Sequence, residues 1–204
     1  MRLDLPEPPN ESHPEAMPIA HLVARTAGGA LGPVKLDPEL DAPLAEIKQG
    51  QESLQWRARA DLMVALSSDT PSAFFEGLRG SQELSRWYPE IEALIGVDHG
   101  TQHHPEGDAW SHTMLCLDRA RKADLNCGQV EMLAVLGHDL GKALIPRASW
   151  PKMYGHDKLG EAPIRDLCRR LGLEAQAEDM VLAARLHHKV HSLRGMRPAG
   201  VLDL

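Results

Sequence analysis

Residues 133–146, LAVLGHDLGKALIP, constrain this chain more than any other stretch. A helical run that asks for burial leads directly into His138, Asp139 and Lys142. Carrying an unpaired charge out of water is strongly unfavourable, so the junction allows two solutions. Either the run ends at the surface and the polar trio is a solvated helix terminus, or these side chains converge on a compensating partner such as a metal ion.

The surroundings of this run ask for helix. Ala, Leu, Met and Glu recur, only 4% of residues are aromatic, and no β-alternation persists, a composition that favours helices over strands. With 204 residues, the chain can bury a sizeable core as one domain with an appendage or as two small ones. Eight of the 15 prolines fall in residues 1–43 together with TAGGALG, which predicts an extended, partly disordered N-terminal arm. Residues 44–98 predict a helical lead-in, where Leu54, Trp56, Ala58, Leu62, Ala65 and Leu66 fit one apolar stripe. SSDTPSAFFEGLRG predicts a helix with Asp69 or Thr70 as its cap, Pro71 in its first turn and Gly80 as its stop. Residues 99–204 predict four stronger helices, running from Asp108 to about Lys122, Gly128 to Leu140, Asp157 to Leu171 and Glu174 to about His191. The four tryptophans, Trp56, Trp87, Trp110 and Trp150, are expected as packing anchors. An all-α bundle is the expected class.

Charge and cysteine usage narrow the function classes. The net charge of −7 argues against a general nucleic-acid coat, but it is unevenly placed. Residues 1–117 hold 8 basic and 18 acidic side chains, net −10, whereas residues 118–204 hold 14 and 11, net +3. A mildly basic second half can receive a phosphate-bearing ligand. Arg165, Arg169 and Arg170 are expected as a solvated face. Cys116, Cys127 and Cys168 show no C-x-x-C spacing, so neither a disulfide framework nor a cysteine zinc knot is indicated, and a reducing cytoplasm fits. Cys116 and Cys168 read as small core residues. The N-terminus lacks the apolar core of a signal peptide, and no apolar stretch reaches the roughly 18 residues of a membrane span, so no membrane association is expected.

Nine of the 11 histidines lie between residues 99 and 191. Residues four apart on a helix share a face, so Asp108 and His112 can aim at one point, as can His138 with Lys142 and His187 with His191. Adjacent residues such as His138 and Asp139 are about 100° apart, and both reach one ion only where a helix end lies close beside it. Imidazole and carboxylate together suit zinc, iron, nickel, cobalt, manganese or magnesium. Taken singly, each histidine has an ordinary structural reading. The joint pattern of His112, His138 with Asp139, YGHDKLG and LHH favours convergence.

Three blocks carry a family resemblance: HHPEGDAWSHTMLCLDRA, LAVLGHDLGKALIPRASWPKMYGHDKLGEAPIRDLCRRLGL and LAARLHHKVHSL. They resemble the metal-dependent phosphohydrolase domain named for its His-Asp doublet, the HD domain. More narrowly, they are similar to the version fused to bacterial tRNA nucleotidyltransferases, the CCA-adding enzymes, and the similarity covers about residues 55–200. The resemblance implies an all-helical HD domain over 99–204 in which His112, His138 and Asp139 hold a divalent metal. His156 and His187 match positions that bind a second ion in binuclear relatives, and Asp108 and His188 are further candidate ligands. Lys142 is the candidate for neutralising phosphate charge, with a helix-terminal cation as its other reading. Glu106 and His104 are candidates for proton transfer or for fixing their loop. Two departures stand out: nothing before residue 55 resembles the nucleotidyltransferase head, and the family's final metal-binding Asp has no match at its expected spacing, Asp203 being the one late carboxylate.

The implied activity is hydrolysis of a small phosphoester or nucleotide, including RNA 3′ ends, with a homodimer as a candidate assembly. The alternative is a catalytically impaired module that binds tRNA or a protein partner.

Overall fold

A computed structural model describes residues 51–100, 105–123 and 127–192, with side chains over 55–189 of these. The expected arm over 1–43 lies outside the described residues, as do His103, His104, Asp203 and the side chain of His191. The described chain forms α1 (Gln51–Ser67), α2 (Ser72–Gly80), the one-turn helices α3 (Leu84–Trp87) and α4 (Pro89–Glu92), α5 (Ala109–Ala123) and α6 (Gln129–Gly137). It continues through α7 (His156–Leu159), α8 (Glu161–Leu171) and α9 (Ala177–Ser192), with 3-10 turns at Leu140–Leu144, Arg147–Ser149 and Glu174–Gln176. Among the described residues there is no β-strand, and an isolated antiparallel bridge joins Asp98 to Asp108. The all-α expectation holds.

Helix α6 lies at the centre, packed between α5 and α9, while α1 crosses both α6 and α8. That double contact changes the expected pattern on α1. Instead of one stripe, Trp56, Ala58, Ala60, Leu62, Met63, Ala65 and Leu66 are all buried, and so are Arg59 and Asp61. Arg59 is accommodated because its Nη1 donates to the Gly172 carbonyl at 2.8 Å, at the left-handed C-cap of α8. Phe74, Phe75 and Tyr88 meet edge to face with centroids 5.2–5.7 Å apart. The Tyr88 hydroxyl donates to the Ala58 carbonyl at 2.8 Å, which lets a polar tip stay inside the core. Trp56 and Trp110 are buried, while Trp87 and Trp150 pack partly buried against the core.

Helix ends, rather than helix existence, differ from expectation. The stretch expected as one helix from Gly128 to Leu140 stops at Gly137 and tightens into a 3-10 turn from Leu140. Asp139 leaves helical geometry with φ −112° and ψ 7°. The expected helix over Asp157–Leu171 is interrupted at Gly160, between α7 and α8. One contact underlies both breaks. A Cβ on Gly141 would stand 1.9 Å from the His156 carbonyl oxygen and 2.5 Å from the Gly160 nitrogen. The turn after His138 is therefore pressed backbone to backbone against the turn that begins α7, an approach only glycine permits.

Candidate metal centre

That close approach brings four helices to one carboxylate. Asp139 is 1% exposed, and His138 at the end of α6, His112 from α5, His156 from α7 and His187 from α9 all turn towards it. His138 Nε2 lies 3.1 Å and His112 Nε2 3.7 Å from Oδ2. His156 Nε2 lies 3.4 Å and His187 Nε2 3.6 Å from Oδ1. Each carboxylate oxygen therefore faces two imidazoles. The more exposed His188 joins the second pair, its Nε2 lying 3.0 Å from His156 Nε2, which is itself 3.3 Å from His187 Nε2.

The far side of each ring determines what the near side offers. His138 Nδ1 donates to the Val135 carbonyl at 2.7 Å, His187 Nδ1 to the Ala184 carbonyl at 2.7 Å, and His156 Nδ1 to the Met153 carbonyl. His112 Nδ1 is held by the Glu106 carboxylate. A neutral imidazole whose Nδ1 carries the proton presents a bare lone pair at Nε2. The Nε2 atoms of four rings thus face one buried carboxylate. Carboxylate or backbone partners behind ligating histidines are the outer support that metal sites use to fix tautomer and orientation. Two clusters, His112 with Cys116 and His138, and His156 with His187 and His188, have ligand atoms all within 4.8 Å of one another, spacing that could hold a metal ion.

The electrostatics agree with a centre organised around negative charge. Burial pushes the Asp139 carboxyl up, but the facing His138 and Lys142 override it and hold the group well below the usual carboxylate range. Burial lowers His138 as well, yet the attraction of Asp139 wins and raises it. His187 is lowered by burial to about 4, and His112 and His188 are lowered by burial too, so these rings stay neutral and available as ligands.

Other sequence-based candidates take different places. Lys142 is 3% exposed, not a solvated terminus, with Nζ 2.7 Å from Asp139 Oδ2 and its hydrogen bond directed to His99 Nδ1 at 2.9 Å. Glu106 is committed to orienting His112. Asp108 is not brought to the cluster: Oδ2 accepts from the Gly96 N–H at 2.6 Å and Oδ1 from the Ser111 N–H at 2.9 Å. It caps α5, and although burial raises its carboxyl, these bonds lower it below the usual range. The arginine face of α8 is neutralised locally, with Arg165 on Glu161 and Glu178, Arg169 on Asp166, and Arg170 on Glu90. Sequence reasoning missed His99, which is 6% exposed behind Lys142, and misplaced Cys116 as a simple core residue. The i, i+4 spacing from His112 to Cys116 was the available signal.

A helical bundle here gathers histidines from four helices around one Asp, an arrangement that could hold a metal ion. Residues 109–201 match the family model of the HD domain, and the chain carries an HD domain. It is 41% identical over 149 residues to a multifunctional CCA protein of Laribacter hongkongensis, covering 72% of this chain and 36% of that protein. It is 40% identical over 171 residues to a multifunctional CCA protein of Chromobacterium violaceum, covering 82% of this chain and 39% of that one. A multifunctional CCA protein of Haemophilus influenzae is 35% identical over 171 residues, or 81% of this chain and 41% of that protein. The chain thus spans less than half the length of these curated relatives. No solved structure matches. Among the described residues no helix is long and apolar enough to cross a membrane.

Proposed function

We propose that this chain is a metal-dependent phosphohydrolase acting on nucleotides or RNA-end phosphoesters. One observation carries the reading: both oxygens of Asp139 are buried, and each faces two Nε2 atoms drawn from separate helices. His112, His138 and Asp139 are the residues proposed to hold a divalent ion, and His156, His187 and His188 a second one. A divalent ion in such a site polarises a phosphoryl oxygen and acidifies water. Glu106 fixes the His112 tautomer, and the Val135, Met153 and Ala184 carbonyls fix the other rings. Lys142 holds the Asp139 carboxylate charged and in place while the centre awaits its ion. The occupant can be nickel, cobalt, manganese, magnesium, iron or zinc, and the reducing cytoplasm is the proposed setting. The resemblance to CCA proteins directs the substrate towards 2′,3′-cyclic nucleotides, 2′-nucleotides and RNA 3′ ends.

A second reading has its own observation. Because the Lys142 ammonium already stands 2.7 Å from Asp139, the carboxylate has an internal counter-charge, as a module that no longer binds metal would need. One experiment separates the two. Protein loaded in turn with nickel, manganese, cobalt or magnesium is expected to hydrolyse a generic phosphodiester and a 2′,3′-cyclic nucleotide, and His138→Ala with Asp139→Ala is expected to abolish turnover. Turnover that survives the double change removes the assignment. Elemental analysis showing far less than one ion per chain, with no turnover across the nucleotide panel, supports the binding module instead.

A further inference from the structure

The geometry points to Cys116 as a thiolate ligand to the same ion as His112 and His138, making the first half of the centre a mixed nitrogen, sulfur and oxygen site. The inference rests on the metal-dependent reading above and adds to it a ligand that selects the class of ion. Cys116 lies one turn after His112 on α5, so both side chains leave the helix on the same face. Its Sγ is 3.5 Å from His112 Nε2, and the ligand atoms of Cys116, His112 and His138 all lie within 4.8 Å of one another. A tetrahedral centre with metal–sulfur and metal–nitrogen bonds of about 2.3 and 2.05 Å sets sulfur and nitrogen about 3.6 Å apart. The observed separation is already that of two ligands on one ion.

An independent feature points into the same space. Asp139, 1% exposed and paired with Lys142 at 2.7 Å, turns the same Oδ2 towards the two rings, 3.1 Å from His138 Nε2 and 3.7 Å from His112 Nε2. Without metal, the Cys116 thiol donates its proton to the lone pair of His112 Nε2, whose other nitrogen is occupied by Glu106. The balance on binding is simple: the sulfur–hydrogen bond breaks, the proton leaves to solvent, and the sulfur electron pair forms the bond to the ion. The thiolate is stabilised in a half-buried position only by that positive charge. Thiolate is a soft ligand, so this half-site favours zinc, cobalt or nickel over magnesium, which prefers an all-oxygen environment.

Cobalt(II) gives the test a readout apart from activity. Full-length protein titrated with cobalt is expected to show a near-ultraviolet thiolate-to-cobalt charge-transfer band together with visible ligand-field bands. Cys116→Ser is expected to lose the charge-transfer band while retaining its ligand-field bands and its helical circular dichroism, and Cys127→Ala with Cys168→Ala is expected to keep both sets. Zinc affinity of Cys116→Ser should fall by roughly 10–100-fold, the range for removing a metal-site partner, with magnesium affinity unchanged. Cobalt uptake with ligand-field bands but no charge-transfer band in the wild-type chain overturns the thiolate assignment and leaves the metal centre standing. Complete absence of cobalt uptake overturns both. Should Cys116→Ser fold poorly, a cobalt–sulfur contribution in the X-ray absorption spectrum of the Cys127→Ala, Cys168→Ala protein decides the question, since Cys116 is then the sole thiol.

Discussion

Removing the Asp139 charge in metal-free protein measures how strongly the fold depends on the buried pair it forms with Lys142. The two groups are 1% and 3% exposed, and their charged atoms are 2.7 Å apart. At an effective dielectric near 20, unit charges at that separation attract by about 6 kcal/mol, of which desolvation of both ions cancels a large part. Asp139→Asn keeps the shape but leaves the Lys142 ammonium buried with only the His99 hydrogen bond, so the loss is that of breaking a buried pair, about 3–5 kcal/mol. In a domain of this size each kcal/mol is worth about 2–4 °C, which predicts a fall in Tm of roughly 6–20 °C. Lys142→Met alone leaves the buried carboxylate without its ammonium partner and is expected to cost a similar amount. The double variant removes both charges and should recover most of the loss, so that its cost falls well below the sum of the two single losses, because a buried pair replaced as a unit is often nearly neutral. The assay is urea and thermal unfolding of all four proteins in excess chelator. If the two single losses simply add in the double variant, the pair is not the compensation for this buried acid and the reasoning fails.

Two further outcomes follow from the same geometry. Gly141→Ala sets a Cβ 1.9 Å from a backbone oxygen that cannot rotate away, so the turn after His138 must part from α7. We expect a stability loss of about 1–3 kcal/mol or more, accompanied by weakened metal uptake in a dialysis assay; unchanged uptake would show that the α7 contact does not build the site. The chelated protein should also lose stability as pH falls. His187 is neutral in the fold down to about 4 but protonates near 6.5 when unfolded, so its contribution is complete above about 6.5 and is lost between 6.5 and 4. His112 and His188 act in the same direction. His138 opposes them, stabilising below 6.5 and losing that effect as pH rises through its raised value, while the lowered Asp139 matters only in stronger acid. A urea midpoint that is equal or higher at about pH 4.5 than at about pH 7.5 contradicts this balance.

Local pattern made the helices legible and left their ends obscure. Apolar spacing and the stop at Gly80 place most elements, because these signals act within a few residues. The break after Gly137 and the gap at Gly160 come instead from the Gly141 approach to His156, a contact between segments far apart in sequence. Those breaks build the site. Were α6 to continue through Asp139 as the periodicity suggests, His138 and Asp139 would diverge by about 100°, and only the turn lets both face His112. Asp108 illustrates the opposite error. Its i, i+4 relation to His112 suggested a shared ligand point, but a residue at a helix start has unsatisfied N–H groups beside it, and those of Ser111 and Gly96 claim both oxygens.

The same competition explains why four imidazoles face one carboxylate. A ring on a helix can direct Nδ1 to the carbonyl three residues earlier, as His138, His156 and His187 each do with Val135, Met153 and Ala184. His112 takes the Glu106 carboxylate as its outer partner instead. Rings fixed in this way keep Nε2 turned towards Asp139, and the buried acid needs a positive neighbour. Lys142 meets that need at Oδ2 alone. The Oδ1 side, where His156 and His187 converge, is not paired with Lys142, and it is there that the proposed ion would gain most from binding.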